Sequence, residues 1–235
     1  MSVKRRNSRD TDDGRDRAAY TVAEAAHYLR LPVATLRSWA LGRQYPTADG
    51  NARFRPLIRP ASRQPPLLSF WNLIEAHVLR SLRTEHGVSV QAVRSAVNYA
   101  EKALGIDRLL LREELRTDAG KVFLERYGEL IELSASGQLA MRRVLEEYLK
   151  RVEWDVSRFP VQLYPFLPEG ISAAERSIVI DARIAFGRPV VARRSISTRA
   201  IAERIDAGES VAEVATDYEL DPSEIEHAAV YERAA

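Results

Sequence analysis

Five of the eleven prolines fall between Gly42 and Pro66, at positions 46, 56, 60, 65 and 66. Proline lacks the amide proton that a helix interior needs, and its ring clashes with the preceding turn. No helix can run through that stretch, so helices are confined to either side of it. On the N-terminal side Thr21 can cap a helix whose N3 residue is Glu24, the spacing of a capping box. Val22, Ala25, Ala26 and Leu29 then recur at helical spacing. Pro32 marks a turn. A second short helix is expected from Val33 to Leu41, with Val33, Leu36 and Ala40 inward and Trp39 at the edge. Ala34, Thr35, Arg37, Ser38 and Leu41 lie more outward. Two short helices around a tight turn, the second with small and basic residues outward, read as a helix-turn-helix.

The proline-rich stretch itself is basic, with Arg43, Arg53, Arg55, Arg59 and Arg63. A turn at Asp49-Gly50, with Phe54, Leu57 and Ile58 in short strands, makes it a basic wing. Ser69 then caps a long helix that carries Leu73, Ile74, His77, Val78, Ser81 and Leu82 on one face. Gly87 ends that helix, and Ser89 opens another with Val90, Val93, Val97 and Ala100 inward.

The net charge of +2 is spread unevenly. Residues 1–66 carry +7, residues 67–168 are neutral and residues 169–235 carry −5. From Ala200 onward only Arg204 and Arg233 oppose ten acidic residues. A basic end suits a polyanion and an acidic end suits a basic partner, the alternative being two solvated faces. Residues 1–18 are charged and almost without large apolar side chains, so they are expected to be a disordered basic and polar tail.

Whole classes of chemistry are absent. The chain has no cysteine, which excludes disulfides, thiolate nucleophiles and cysteine zinc sites. The four histidines, His27, His77, His86 and His227, stand in unrelated segments, so no metal site is expected. No apolar run is long enough to cross a membrane, and the first residues lack the apolar core of a secretory signal. A soluble, cytoplasmic protein without cofactor is expected. Gly42 and Gly50 stand alone without phosphate-loop spacing, and no serine sits in a nucleophile elbow. Glu146 and Glu147 are neighbours on a helix and point about 100° apart, which makes them surface charges rather than an acid/base pair. Enzyme activity is not expected.

Further along, Lys121–Glu125 and Glu129–Leu133 flank a turn and read as a hairpin. Gln138–Val152 reads as an amphipathic helix. Phe159–Phe166 alternates and ends in prolines, the pattern of an edge strand. Ser177–Asp181 and Pro189–Ala192 read as two short strands around Phe186-Gly187-Arg188. Three helices follow, one ended by Gly208, one capped by Ser210, and one begun by Asp221-Pro222 with proline at its preferred first position. The fold class is mainly α with short β-hairpins (α+β). It divides into the tail 1–18, a winged helix-turn-helix 19–105, a middle hairpin-and-helix region 106–170 that can dimerise, and a trihelical unit 171–235.

Two segments resemble known families. Tyr20-Thr-Val-Ala-Glu-Ala-Ala, Leu31-Pro-Val-Ala-Thr-Leu-Arg-Ser-Trp39, Leu68-Ser-Phe-Trp-Asn-Leu-Ile and Leu79-Arg-Ser-Leu-Arg-Thr-Glu-His-Gly-Val-Ser resemble MerR-type winged helix-turn-helix domains. Gly187-Arg-Pro-Val-Val191, Ile205, Gly208-Glu-Ser-Val-Ala-Glu-Val214, Tyr218, Leu220 and Ile225 to Tyr231 resemble the DUF433 family. Where that family usually has Gly-Thr-Arg, this chain has Arg193-Arg194-Ser195, which keeps the turn basic. A MerR-like start with a DUF433-like end resembles VapB-type antitoxins of type II toxin–antitoxin pairs. The resemblance implies neutralisation of a PIN-like ribonuclease toxin and repression of the shared operon.

The site residues follow. Arg37 can present its guanidinium fork to guanine, Thr35 and Ser38 can reach phosphates or bases, and Arg43, Arg53 and Arg55 in the wing suit backbone contacts. Alternatively Arg37 pairs with Glu24, and Trp39 serves only the core. One short reading helix spans few base pairs, so a homodimer on a palindromic operator is expected. Glu213, Asp217 and Glu224 are expected to face the basic RNA path of the toxin. Arg188, Arg193 and Arg194 either reach the acidic metal-binding centre of such a nuclease or pair internally with the acidic helices. The two ends are expected to work independently, so that loss of residues 170–235 spares DNA binding. The alternative function is a MerR-like regulator whose middle and C-terminal parts sense a small molecule.

Overall fold

The computed structural model describes residues 14–47, 50–84, 94, 108–111, 149–165 and 176–233. The expected hairpin at 121–133, nearly all of the expected helix at 138–152 and, apart from helical Arg94, the helix expected after Ser89 lie outside them.

Strand β1 (Tyr20–Thr21) leads into α1 (Val22–Tyr28), and α2 (Val33–Leu41) follows the turn at Pro32. Thr21 closes the expected capping box: its hydroxyl accepts from the Glu24 amide at 3.1 Å, and its own amide donates to the Glu24 carboxylate at 2.8 Å. Next come the hairpin β2 (Arg43–Thr47) and β3 (Gly50–Phe54), then β4 (Ser62–Arg63), β5 (Pro66–Leu68) and α3 (Phe70–Thr84). Strand β5 pairs antiparallel with both β1 and β4. The Ser69 hydroxyl caps α3 by accepting from the Asn72 amide at 3.2 Å. Leu57 and Ile58, expected in strands, instead donate their amides to the Trp39 carbonyl at 2.7 and 3.0 Å.

The remaining strands are β6 (Val152–Trp154), β7 (Pro160–Leu163), β8 (Ile178–Asp181), β9 (Val190–Val191) and β10 (Ile196–Ser197). They form one sheet in the order β10-β9-β8-β7-β6. The segment around β7 is not an edge strand, because β6 and β8 pair on either side of it; Pro160 begins the strand, where its missing amide costs no central ladder bond. Val152 starts a strand rather than ending a helix. The sheet also crosses the boundary drawn at residue 170, so the middle and C-terminal parts share one element.

Helices α4 (Thr198–Asp206), α5 (Val211–Tyr218) and α6 (Pro222–Arg233) complete the chain. Ser210 and Glu213 form a second capping box at α5. At α6 the Glu224 carboxylate accepts from the Asp221 amide at 2.9 Å, beside Pro222 at the first helical position. Val191, Ile201, Val214, Leu220, Ile225 and Ala228 pack into the core of this unit.

The larger core runs from Tyr20 through Leu36, Trp39 and the inner face of α3 to Val152, Leu163 and Ile180. The helix-turn-helix and the five-stranded sheet therefore share apolar contacts. Polar contacts join the two ends as well. The Tyr20 hydroxyl donates to the Gly187 carbonyl at 3.0 Å, and the Tyr231 hydroxyl donates to the Tyr28 carbonyl at 2.8 Å. His27 Nε2 lies 3.0 Å from Glu232 Oε2, and Arg30 stacks over the Tyr231 ring at 5.5 Å. Residues 14–18, expected in the disordered tail, also belong to the fold: Arg15 donates to Asp155 at 2.8 Å and lies over the Trp71 ring at 5.6 Å.

Candidate nucleic-acid interface

Helix α2 turns Leu36, Trp39 and Ala40 inward. Trp39 is fully buried, and its backbone carbonyl takes both amides of Leu57 and Ile58, so the chain leaving the wing is tied to the end of α2. Gly42 makes the junction with the hairpin. Its φ is +77°, and a Cβ there would lie 2.4 Å from the Phe54 carbonyl oxygen. Only glycine allows β3 to approach the end of α2 so closely.

Arg37 and Ala34 are exposed, while Thr35 and Ser38 are half-buried beside them. Val33, expected to face the core, is instead 41% exposed. It is the first residue of the helix, and the inward stripe is carried by 36, 39 and 40; Val33 stands one turn before Arg37 on the outer side. Glu24 is occupied by its capping box, and Arg37 has no carboxylate partner among the described residues.

In the hairpin Arg43 is paired with Phe54, Gln44 with Arg53 and Tyr45 with Ala52. Arg43, Arg53, Arg55, Arg59 and Arg63 are all exposed, and none of them pairs with a carboxylate among the described residues. Arg94, which no sequence motif singles out, lies over the Phe54 ring at 4.5 Å and donates to the Arg55 carbonyl. Burial, with the neighbouring Arg55 charge, pushes its guanidinium pKa down. Tyr45 is a second unanticipated feature, an aromatic ring 41% exposed on the wing.

The support behind this surface is polar and buried. The Asn72 side-chain oxygen accepts from the Ala61 and Ser69 amides, both at 3.1 Å, and its amide donates to the Arg59 carbonyl at 3.0 Å. Asn72 thus holds the return of the wing against α3. Glu75 beside it accepts from Arg108 at 3.1 Å, and Arg108 also reaches Asp16 at 2.8 Å. Burial alone would lower the Arg108 pKa, but the Glu75 charge and hydrogen bonds outweigh it and raise the net value.

The C-terminal arginines are arranged differently. Arg193 reaches Glu224 at 2.8 Å and Asp221 at 3.6 Å, and Arg194 pairs with Glu219. Arg199 reaches Glu203 at 2.8 Å, and Arg204 reaches Asp217 at 2.6 Å as well as Glu209. Glu213 serves the capping box of α5. Of the six residues expected to meet a toxin, Arg193, Arg194, Asp217 and Glu224 are thus ion-paired within the module. Arg188 is exposed and has no carboxylate partner among the described residues. No three or more of the described His, Asp and Glu residues are grouped to hold a metal ion. No helix among the described residues is long and apolar enough to cross a membrane.

Residues 18–97 match the family described as "Putative DNA-binding HTH domain". That interval contains α2 and the whole hairpin with its exposed arginines. Residues 178–231 match the family described as "Protein of unknown function (DUF433)", which spans β8 to the end of α6. The chain is 29% identical to "Putative antitoxin VapB45" of Mycobacterium tuberculosis, over 89% of this chain and 91% of that protein. It is 24% identical to "Uncharacterized protein Rv2308" of the same organism, over 92% of this chain and 90% of that one. The crystal structure of Rv2018 from Mycobacterium tuberculosis superposes with a TM-score of 0.63 at 25% identity, over 90% of this chain and 97% of that one.

Proposed function

We propose that the chain is the antitoxin of a type II toxin–antitoxin pair. In this reading it represses its operon as a homodimer on operator DNA through α2 and the wing, and its C-terminal module holds a PIN-like ribonuclease. The observation that carries the DNA half is the contrast between two sets of arginines. Arg37, Arg43, Arg53, Arg55, Arg59 and Arg63 are exposed without carboxylate partners among the described residues, whereas Arg193, Arg194, Arg199 and Arg204 each pair with at least one carboxylate. Uncompensated cations on a small helix-turn-helix are what a phosphate backbone recruits, through release of its condensed counterions. In this reading exposed Arg37 of α2 meets base edges, where a guanidinium fork matches guanine O6 and N7. Thr35 and Ser38 flank it, and exposed Val33 offers an apolar contact for a thymine methyl. Two copies on a palindrome supply the length of site that one short helix lacks. In this reading the hairpin acts as a MerR-like wing, with exposed Arg43, Arg53 and Arg55 available for backbone phosphates.

The toxin half rests on the similarity to a protein named as an antitoxin and on the charge of the C-terminal module. Each of its ion pairs has at least one partner well exposed to solvent, where such pairs are individually weak, so Arg193, Arg194, Asp217 and Glu224 can exchange their internal partners for those of a nuclease. Arg188 needs no such exchange.

Co-expression of the tagged chain with the adjacent reading frame, followed by affinity purification, tests the reading. The expected result is co-elution of a small nuclease whose ribonuclease activity is suppressed in the complex. Recovery of the chain alone, with the neighbouring product active beside it, contradicts it.

A further inference from the structure

Between β8 and β9 the backbone makes a tight turn through Ala185–Gly187. Ala185, Phe186 and Gly187 have φ of +47°, +56° and +76°, three successive residues in the left-handed region. Glycine enters that region freely, whereas alanine and phenylalanine are strained there. The strain places the Phe186 ring outward, 90% exposed. A glycine or asparagine at 186 would make the same turn with less strain, so the phenyl ring is not explained by the local backbone. Backbone strain of this kind gathers at functional sites.

The turn is held rigidly from beneath. The Gly187 amide donates to the Ile184 carbonyl at 2.8 Å and the Arg188 amide donates to the Ala185 carbonyl at 3.1 Å. Tyr20 presses its hydroxyl on Gly187, where a Cβ would lie 2.0 Å away. At the foot of the turn Asp181 is buried and accepts from the Arg183 amide at 2.8 Å, the Arg183 guanidinium at 2.7 Å and Gln162 at 3.0 Å. Flanking Phe186 in the chain, Arg183 remains 68% exposed at its side chain although paired with Asp181, and Arg188 is exposed with no carboxylate partner among the described residues.

We infer that Phe186 is the anchor by which the C-terminal module seizes its protein partner, entering an apolar socket whose rim is carboxylate-rich and meets Arg183 and Arg188. A rigid aromatic side chain loses little entropy when it is buried, and aromatic and arginine residues dominate binding energy at protein interfaces. A nucleic acid is the poorer occupant, because residues 169–235 carry a net charge of −5 and repel a polyanion. The identity of the partner, the product of the adjacent reading frame, rests on the antitoxin reading.

The test measures binding of the purified adjacent-frame product to the full-length chain and to Phe186→Ala, Phe186→Trp and Arg188→Glu. Phe186→Ala is expected to weaken binding at least tenfold, chiefly through faster dissociation, with an unchanged melting temperature. Phe186→Trp is expected to retain binding, and Arg188→Glu to slow association in a salt-dependent way. Wild-type binding with Phe186→Ala within twofold of it overturns the anchor and leaves the antitoxin reading standing. Failure of the wild-type chain to bind overturns both. Two control measurements give the other occupants their chance: a labelled single-stranded RNA retained by wild type and lost in Phe186→Ala, or a smaller light-scattering mass for Phe186→Ala alone, also overturns the proposal.

Discussion

The Tyr20 hydroxyl is buried, and burial pushes its ionisation well above the ordinary tyrosine range, so at any ordinary pH it remains a donor to Gly187. Tyr20→Phe leaves that carbonyl without its partner, and a buried unsatisfied polar group costs about 1–3 kcal/mol. Gly187→Ala is expected to cost more, since it adds both left-handed strain and a methyl where the hydroxyl already sits. Denaturant melts of the two variants check the order. Asp181 gives the pH dependence. Burial raises its pKa, but the hydrogen bonds from Arg183 and Gln162 outweigh burial and hold the net value below the usual carboxylate range. A depressed folded-state pKa contributes stability that is present above the unfolded value, about 3.9, and is lost as pH falls through the folded one. The melting temperature is therefore expected to fall below about pH 4, and Asp181→Asn to flatten that fall while lowering stability at neutral pH.

At the scale of elements, the helix starts were legible because they are written in short-range chemistry. Thr21 with Glu24, Ser69, Ser210 with Glu213 and Pro222 each set a boundary using neighbours within three residues. The outward placement of Arg37 was legible for the same reason, through periodicity. Val33 was not, because periodicity fixes a helical face but not how far along the helix the core extends. The interior place of β7 was also hidden: its alternation and prolines say strand, but its neighbour β8 comes from a segment beyond residue 176. The internal pairing of Arg193 and Arg194 depends likewise on where α5 and α6 fold back. For the wing, the decisive element is the junction at Gly42. Gly42→Ala adds a Cβ 2.4 Å from the Phe54 carbonyl oxygen and must displace the hairpin from α2. DNA affinity is expected to drop at least tenfold in a binding titration, with α2 and α3 still helical by circular dichroism.

For the whole molecule, the sequence suggested two ends acting separately, and the fold joins them. The core that holds α2 continues into β6, β7 and β8, and α1 meets α6 through Tyr28 with Tyr231 and His27 with Glu232. Removal of residues 170–235 takes away Ile180, Gly187 and all of α6, and exposes apolar surface on α1 and β1. The truncated chain is expected to melt non-cooperatively and to lose DNA binding with its fold, which calorimetry on the fragment checks. A fragment that melts sharply and binds DNA as the full chain does would restore the picture of independent ends. The central claim, that the exposed arginines of α2 and the wing read DNA, is tested most directly by fluorescence anisotropy of the full chain on its own promoter over a range of salt. Arg37→Ala is expected to lose about 1–3 kcal/mol on the operator and little on scrambled DNA, whereas Arg53→Ala weakens both alike and flattens the salt slope by about one. Operator binding left unchanged by both substitutions would contradict the account.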